Sequence, residues 1–188
     1  VDLEMTKAFA QAIDVELPTS GNTIKPKASP ALSQENTAKK PNTRKVAIVI
    51  ADGFNKTNVD TAIETLTSSG VKVAVLSDKL GPITASDSSQ LESEHTFLTD
   101  SSVVFDAIYI DGGINASKSF KEDAKMFLKE AFTHYKPIAL TNEGLQWFNE
   151  QNLTIDAGVI LGEKETQIFA SEFVEAISNH RFCERKIG

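Results

Sequence analysis

"KPIALTNEGLQWF", residues 136–148, places three kinds of segment end to end. Pro137 to Leu140 reads as a short apolar strand, Thr141-Asn142-Glu143-Gly144 as a small polar turn, and Leu145, Trp147 and Phe148 as the start of an apolar, helix-compatible stretch. Strand, sharp turn, helix is the layout on which α/β enzymes mount a nucleophile, with the helix N-terminus aimed at the charge that develops. The fold can be read from this stretch, but the nucleophile is not evident in it.

Outward from this stretch, the same alternation repeats. "KVAIVIA" (45–51) is a continuous apolar run, as expected of a parallel strand buried on both faces. Residues 57–69 predict a helix with Val59, Ala62, Ile63 and Leu66 on one face, closed by Gly70. "VKVAVLS" (71–77) is a second strand. The polar, turn-rich stretch 78–100 predicts a short hairpin around Pro82 and His95. "FDAIYIDGG" (105–113) is a third strand, and residues 117–134 a long helix buried through Phe120, Ala124, Phe127, Leu128 and Ala131. "AGVILGE" (157–163) and a final helix over 165–181 complete the series. Repeated βα units with crossover-length connections predict a flavodoxin-like, doubly wound parallel sheet with helices on both faces. In such sheets ligands bind beyond the carboxyl ends of the strands, so three loops should converge: 51–58, 111–117 and 141–144.

The N-terminal portion differs. Residues 1–17 predict a short amphipathic helix through Val1, Met5, Ala8, Phe9 and Ala12, a helix too short to be stable alone. Residues 18–44 carry Pro18, Pro26, Pro30 and Pro41 among small polar residues, with only Ile24 and Leu32 as apolar anchors, and read as a linker. A domain over 45–188 follows. The formal charge of -7 is the wrong sign for a nucleic-acid surface, and no apolar run approaches the roughly 20 residues that span a bilayer. The single cysteine, Cys183, excludes an intrachain disulfide and a cysteine-rich metal site. The chain opens on Val1 without a signal-peptide pattern and is read as a fragment.

The three loops, in order, resemble the PfpI-type branch of the class I glutamine amidotransferase superfamily. Asp52-Gly53-Phe54 matches its D-G-F opening. Asp106-Ala107 through Gly112-Gly113 matches its D-A-x-x-x-P-G-G strand, with Asp111 where the proline usually stands. Lys136, Pro137, Ala139 and Gly144 match its K-P-x-A-x-I-C-H-G elbow. The departures fall on the chemistry. Asn142 stands in place of the elbow cysteine and Glu143 in place of the neighbouring histidine, while Asn55-Lys56-Thr57 replaces the acidic residue that tunes the cysteine. An amide is no nucleophile at neutral pH, and Thr141 has no histidine base in the three loops. His95, His134 and His180 are expected as surface or helix-end residues. Asn142 instead suits the left-handed backbone of a strained elbow. The site is therefore expected to be vestigial, with no catalytic, cofactor-binding or metal-binding residue.

The N-terminal helix ending "AIDVELP", the Pro-rich linker and the closing "EFVEAISNHRF" (172–182) extend the resemblance to the C-terminal region of large-subunit haem catalases. That resemblance implies a fungal parent that dismutates hydrogen peroxide at a haem held upstream, with residues 1–17 ending its helical domain. The compartment stays open, extracellular for a fungal parent and cytoplasmic otherwise. For this fragment it implies contact with the catalase core of a homotetramer, and a stabilising or ATP-independent chaperone-like role towards unfolding client proteins. Phe54, Ile114, Trp147 and Phe148 are the apolar side chains near the loops from which such a surface would draw, the alternative for Trp147 and Phe148 being to pack beneath the elbow helix, as expected for Phe148. Two alternatives are a flavin or small-ligand module, which Asp52 disfavours beside a phosphate, and a cryptic hydrolase at Glu143 or Thr141. The sequons Asn55-Lys-Thr, Asn115-Ala-Ser and Asn152-Leu-Thr would, if glycosylated, block a pocket between the loops.

Overall fold

The computed structural model describes residues 3–16, 29, 38–162 and 166–186. The chain forms two units, residues 1–38 and residues 39–188. In the first, helix α1 spans Leu3–Ala12, shorter than the stretch expected to residue 17, and its Phe9 is exposed. Most of the expected linker, 18–28 and 30–37, lies outside the described residues. The second unit begins at Lys39 and not at residue 45. Backbone pairing explains the earlier start: the Thr43 N–H donates to the Gly70 carbonyl at 3.1 Å, and Lys72 N–H to the Arg44 carbonyl at 2.7 Å.

Among the described residues that unit is built on eight strands: β1 (Lys45–Ile50), β2 (Lys72–Ser77), β3 (Gly81–Thr84), β4 (Gln90–Ser93), β5 (His95–Thr96), β6 (Ala107–Gly112), β7 (Ile138–Leu140) and β8 (Val159–Leu161). Four helices accompany them: α2 (Lys56–Ser68), α3 (Lys118–Thr133), α4 (Asn142–Glu150) and α5 (Thr166–Asn179). The main sheet runs β5-β2-β1-β6-β7-β8 and every pairing in it is parallel. Without the short edge strand β5, the order is that of a flavodoxin-like sheet.

Side-chain alternation along each strand divides the core between two faces. Ala47, Val49, Ile108 and Ile110 pack under α3 and α4 with Phe120, Leu128 and Phe148. Val46, Ile48, Ile50 and Tyr109 face α2 and α5 with Val59, Leu66, Phe169 and Phe173. Helices thus cover both faces, which is why the strands read as unbroken apolar runs.

The hairpin expected around Pro82 and His95 closes earlier. It is β3 and β4, antiparallel from Gly81 opposite Ser93 to Thr84 opposite Gln90. His95 belongs instead to β5, parallel to β2 beside Leu76. It is therefore no surface or helix-end residue. Its ring is half-buried against Phe105, and Nδ1 lies 3.0 Å from Asp100 Oδ2. His134 and His180 do follow the C-termini of α3 and α5.

Candidate functional site

The three loops converge at the carboxyl edge of the sheet. Backbone contacts bring the first two together: Asn115 N–H donates to the Asp52 carbonyl at 3.0 Å, and Ala51 N–H to the Gly112 carbonyl at 2.8 Å. Gly113 is required there, because a Cβ would stand 2.4 Å from the Ala51 carbonyl oxygen. The third loop closes on the second through Gly144, where a Cβ would lie 2.4 Å from the Ile110 carbonyl oxygen. Only glycine lets α4 start this close to β6.

At the elbow, Asn142 has φ +44°, the left-handed conformation anticipated for it. The strained geometry of a nucleophile mount is present, with an amide in place of the nucleophile. Helix α4 has Thr141 at its N-cap, yet the Thr141 hydroxyl makes no capping bond. It donates to Asp111 Oδ1 at 2.7 Å. The Asn142 side-chain amide donates to the same oxygen at 2.9 Å, and the Tyr109 hydroxyl lies 3.2 Å from it and 3.0 Å from Thr141 Oγ1. Asp111 Oδ2 accepts from the Asn55 backbone N–H at 2.7 Å. Asp111 is fully buried, and so is Tyr109. Burial and the adjacent carboxylate push the Tyr109 phenol well above its usual range, so it stays a neutral donor.

Asp111 is thus the centre of the site. Sequence reasoning noted it only as a departure from the proline of the family pattern. Its donors come from its own strand and from two other loops, up to 56 positions away in sequence, which no local pattern reveals. The carboxylate is also the hydrogen-bonding base that Thr141 lacked in the sequence reading. It activates nothing accessible, however: Thr141 is buried, and the carboxylate is already engaged by four donors.

The remaining loop residues are held just as firmly. Asp52 accepts from Thr84 N–H at 2.9 Å and pairs with Lys79 at 2.8 Å. The Lys79 hydrogen bond, then the Thr84 N–H, lower its carboxyl below the usual range. Gly53 N–H donates to the Thr84 carbonyl at 2.7 Å, and the neighbouring Phe54 is fully buried. Trp147 and Phe148 are buried too, Trp147 edge-on to Phe120. Of the four apolar side chains considered for an exposed surface, Ile114 alone is exposed, at 66%. It is buried Trp147 and Phe148 that hold α4 down on the sheet.

What remains open is a depression of about 130 Å³ lined by Gly53, Asn55, Ser86, Ile114, Asn142 and Glu143. Small-molecule pockets usually occupy roughly 300–1,000 Å³. Asn55, Asn115 and Asn152 of the three sequons are all exposed, and Asn55 additionally caps α2 by accepting from Asn58 N–H at 3.1 Å. Among the described residues no group of three or more His, Cys, Asp or Glu could hold a metal ion, and no helix is long and apolar enough to cross a membrane.

A different chemistry occupies the opposite edge of the sheet. Arg185 is buried and donates to three carbonyls: Ala157 at 2.8 Å, Phe132 at 3.1 Å and Lys136 at 2.8 Å. Its guanidinium also covers the Phe132 ring at 4.8 Å. Lys136 is 2% exposed and its ammonium donates to the Ser102 carbonyl. Burial, followed by repulsion from Arg181, pulls the Lys136 pKa down to about 8. Asp106 accepts from Lys45 N–H at 2.9 Å and lies 3.1 Å from His180 Nε2.

Comparison with known proteins agrees with this geometry. Solved structures with the same fold include a ThiJ/PfpI domain protein from Brachyspira murdochii, 16% identical with a TM-score of 0.61, covering 75% of this chain and 98% of that one. Another is a two-domain protein with DJ-1/ThiJ/PfpI-like and ferritin-like domains from Anabaena variabilis, 19% identical with a TM-score of 0.62, covering 70% of this chain and 49% of that one. At these identities the likeness concerns the fold alone. Sequence relatives include a catalase of Alkalihalophilus pseudofirmus, 43% identical over 98% of this chain, and catalase-2 of Bacillus subtilis, 34% identical over the whole of this chain. The chain spans 27% and 28% of these two relatives. Both are bacterial, whereas catalase-1 of the fungus Neurospora crassa is 26% identical over 77% of the chain, so the expected fungal origin is not supported. Residues 42–187 match the C-terminal domain found in long catalases, and the chain belongs to that family.

Proposed function

We propose that residues 39–188 are a non-catalytic, stabilising domain of a large-subunit catalase. The carrying observation is the elbow: Asn142 stands at the strained position and is tied, with Thr141, to a buried Asp111 whose oxygens are already occupied. Thr141, Asn142, Glu143, Gly144, Asp52, Gly53, Phe54, Asp111, Gly112 and Gly113 are then a vestigial site converted to structure. The haem and the peroxide chemistry belong to the rest of the parent chain, and the domain's permanent partner is the catalase core. That reading is supported by His95 and His180, each of which is engaged by a carboxylate and so is not free to ligate a haem iron.

Two assays test this reading. The isolated chain should turn over no peptide, glutamine, methylglyoxal or hydrogen peroxide. Turnover abolished by Asn142→Ala or Glu143→Ala would overturn the non-catalytic assignment. Removing the domain from the intact catalase should lower its inactivation temperature while leaving activity per haem near normal in the cold; an unchanged inactivation temperature would refute the stabilising role.

A second reading, ATP-independent holding of unfolding proteins, draws on one observation. Leu98, Val103 and Met126 are 95%, 72% and 62% exposed, and Met126 borders a groove with Phe97 and Phe127. Apolar surface is the non-specific attraction such activity needs, and the charge of -7 would keep complexes soluble. The burial of Phe54, Trp147 and Phe148 removes the surface first considered for it. Equimolar chain should suppress aggregation of heat-stressed clients without nucleotide; equal protection by an albumin-like control would end this reading. A flavin or other phosphate-bearing ligand is disfavoured by the small depression and by Asp52 beside it.

A further inference from the structure

A cavity of about 190 Å³ opens at the amino edge of the sheet, lined by Val103, His134, Lys136 and Arg181. It is remote from the elbow, and the proposed structural role makes no use of it. Two permanent or near-permanent cations reach it from different segments. Lys136 precedes β7 and Arg181 follows α5. Each is held only by neutral backbone oxygens. Lys136 donates to the Ser102 carbonyl, and Arg181 to the carbonyls of Asp106 at 3.2 Å and His180 at 2.8 Å. Neither makes an ion pair among the described residues, although an ammonium has three donors and a guanidinium five.

The nearby carboxylates are occupied elsewhere. Asp106 pairs with His180 at 3.1 Å and approaches Arg44 at 3.7 Å. Glu130 accepts from the Ser102 hydroxyl at 2.8 Å. Asp106 and Glu130 act on Lys136, and Asp106 on the half-buried Arg181, without forming an ion pair, and the desolvation cost still outweighs them at both cations. Bound anion would relieve it, and guanidinium and ammonium groups are the side chains that grip oxyanions. We propose that this cavity is a binding site for a small oxyanion, a carboxylate or phosphate group held between Lys136 and Arg181. The cavity volume limits the ligand to the size of inorganic phosphate or a short carboxylic acid, or to the tip of an acidic side chain from elsewhere in the parent protein.

Thermal unfolding with inorganic phosphate or acetate, at ionic strength held constant with potassium chloride, tests the proposal. At ten times the dissociation constant, the midpoint should rise by about 4 °C. The rise should vanish in Arg181→Gln, whose side chain is only half-buried, and in Lys136→Met. NMR of the Lys136 side chain supplies a readout independent of variant folding: saturating phosphate should move its titration midpoint upward from about 8. Arg181, Asp106 and Glu130 act electrostatically on that ammonium and His134 lines the same cavity, so the same titration in Arg181→Gln separates the anion from its neighbours. A rise in the isolated chain identifies a free anion as ligand. A Lys136 midpoint already raised in the intact catalase, and unresponsive to phosphate, identifies an acidic side chain. Equal stabilisation by chloride, or a phosphate effect unchanged in Arg181→Gln, would overturn the site.

Discussion

The two edges of the sheet handle buried charge in opposite ways. At the carboxyl edge one carboxylate, Asp111, is satisfied by two hydroxyls, an amide and a backbone N–H. At the amino edge three cations, Lys136, Arg181 and Arg185, are satisfied mainly by carbonyls. The strand ends supply this polarity. Loops that follow parallel strands lead into helix N-termini with free N–H groups, and those that precede strands leave helix C-termini with free carbonyls. Asp111 at one edge and Lys136, Arg181 and Arg185 at the other are therefore held without a direct ion pair among the described residues. They differ in closure: the carboxyl edge is filled around Asp111, while the amino edge keeps a cavity beside Lys136 and Arg181.

The largest effect expected from disturbing this balance is at Asp111. Asp111→Ala leaves the Tyr109 and Thr141 hydroxyls and the Asn55 N–H without their acceptor, and should cost about 4 kcal/mol in urea unfolding. Asp111→Asn, which keeps an acceptor oxygen, should cost about half as much. Equal costs for the two would mean that the negative charge, and not the acceptor geometry, holds the loops. Arg185→Met comes next, at about 3 kcal/mol, because three buried carbonyls lose their donor. A near-neutral result would show that water replaces the guanidinium and that the edge is more open than the carboxyl one.

Lys136 gives a pH signature of smaller size. Its folded pKa, about 8, lies below the ordinary value of 10.5. Between those values the unfolded chain binds more protons, so this group makes stability rise with pH from about 8 to 10.5 and contributes no slope below 8. The full displacement corresponds to roughly 3.4 kcal/mol, which solvent screening at the cavity mouth reduces to roughly 2 kcal/mol, and the rise should disappear in Lys136→Met. A profile that falls through this window in the wild type, with the fall lost in the variant, would reverse the assigned sign. Asn142→Ala is the mildest of these changes. It loses one hydrogen bond and places alanine at φ +44°, for about 1.5 kcal/mol. Asn142→Gly, which removes the backbone strain, should recover part of that loss by the same unfolding measurement.

Much of this molecule was legible in its residues. Continuous apolar runs at 46–50, 107–110 and 138–140 occur because parallel strands are covered on both faces, whereas the capping roles of Asn55 and Ser117 at the starts of α2 and α3 appeared only in the structure. The order of D-G-F, G-G and the elbow at 141–144 announced the converging loops, and Asn142 its left-handed turn. β5 escaped because a two-residue edge strand has no period to detect. The burial of Trp147 was equally undecidable from sequence, since an aromatic residue in a short helix can face the sheet or solvent. Sequence by itself determined the alternation of elements and the absence of a nucleophile at the elbow, because both are carried by local residue type. Only the tertiary structure decided that Asp111 gathers donors from two distant loops, and that Lys136, Arg181 and Arg185 meet at the other edge. Charge burial depends on which distant dipoles surround a side chain, and chain folding alone brings them together.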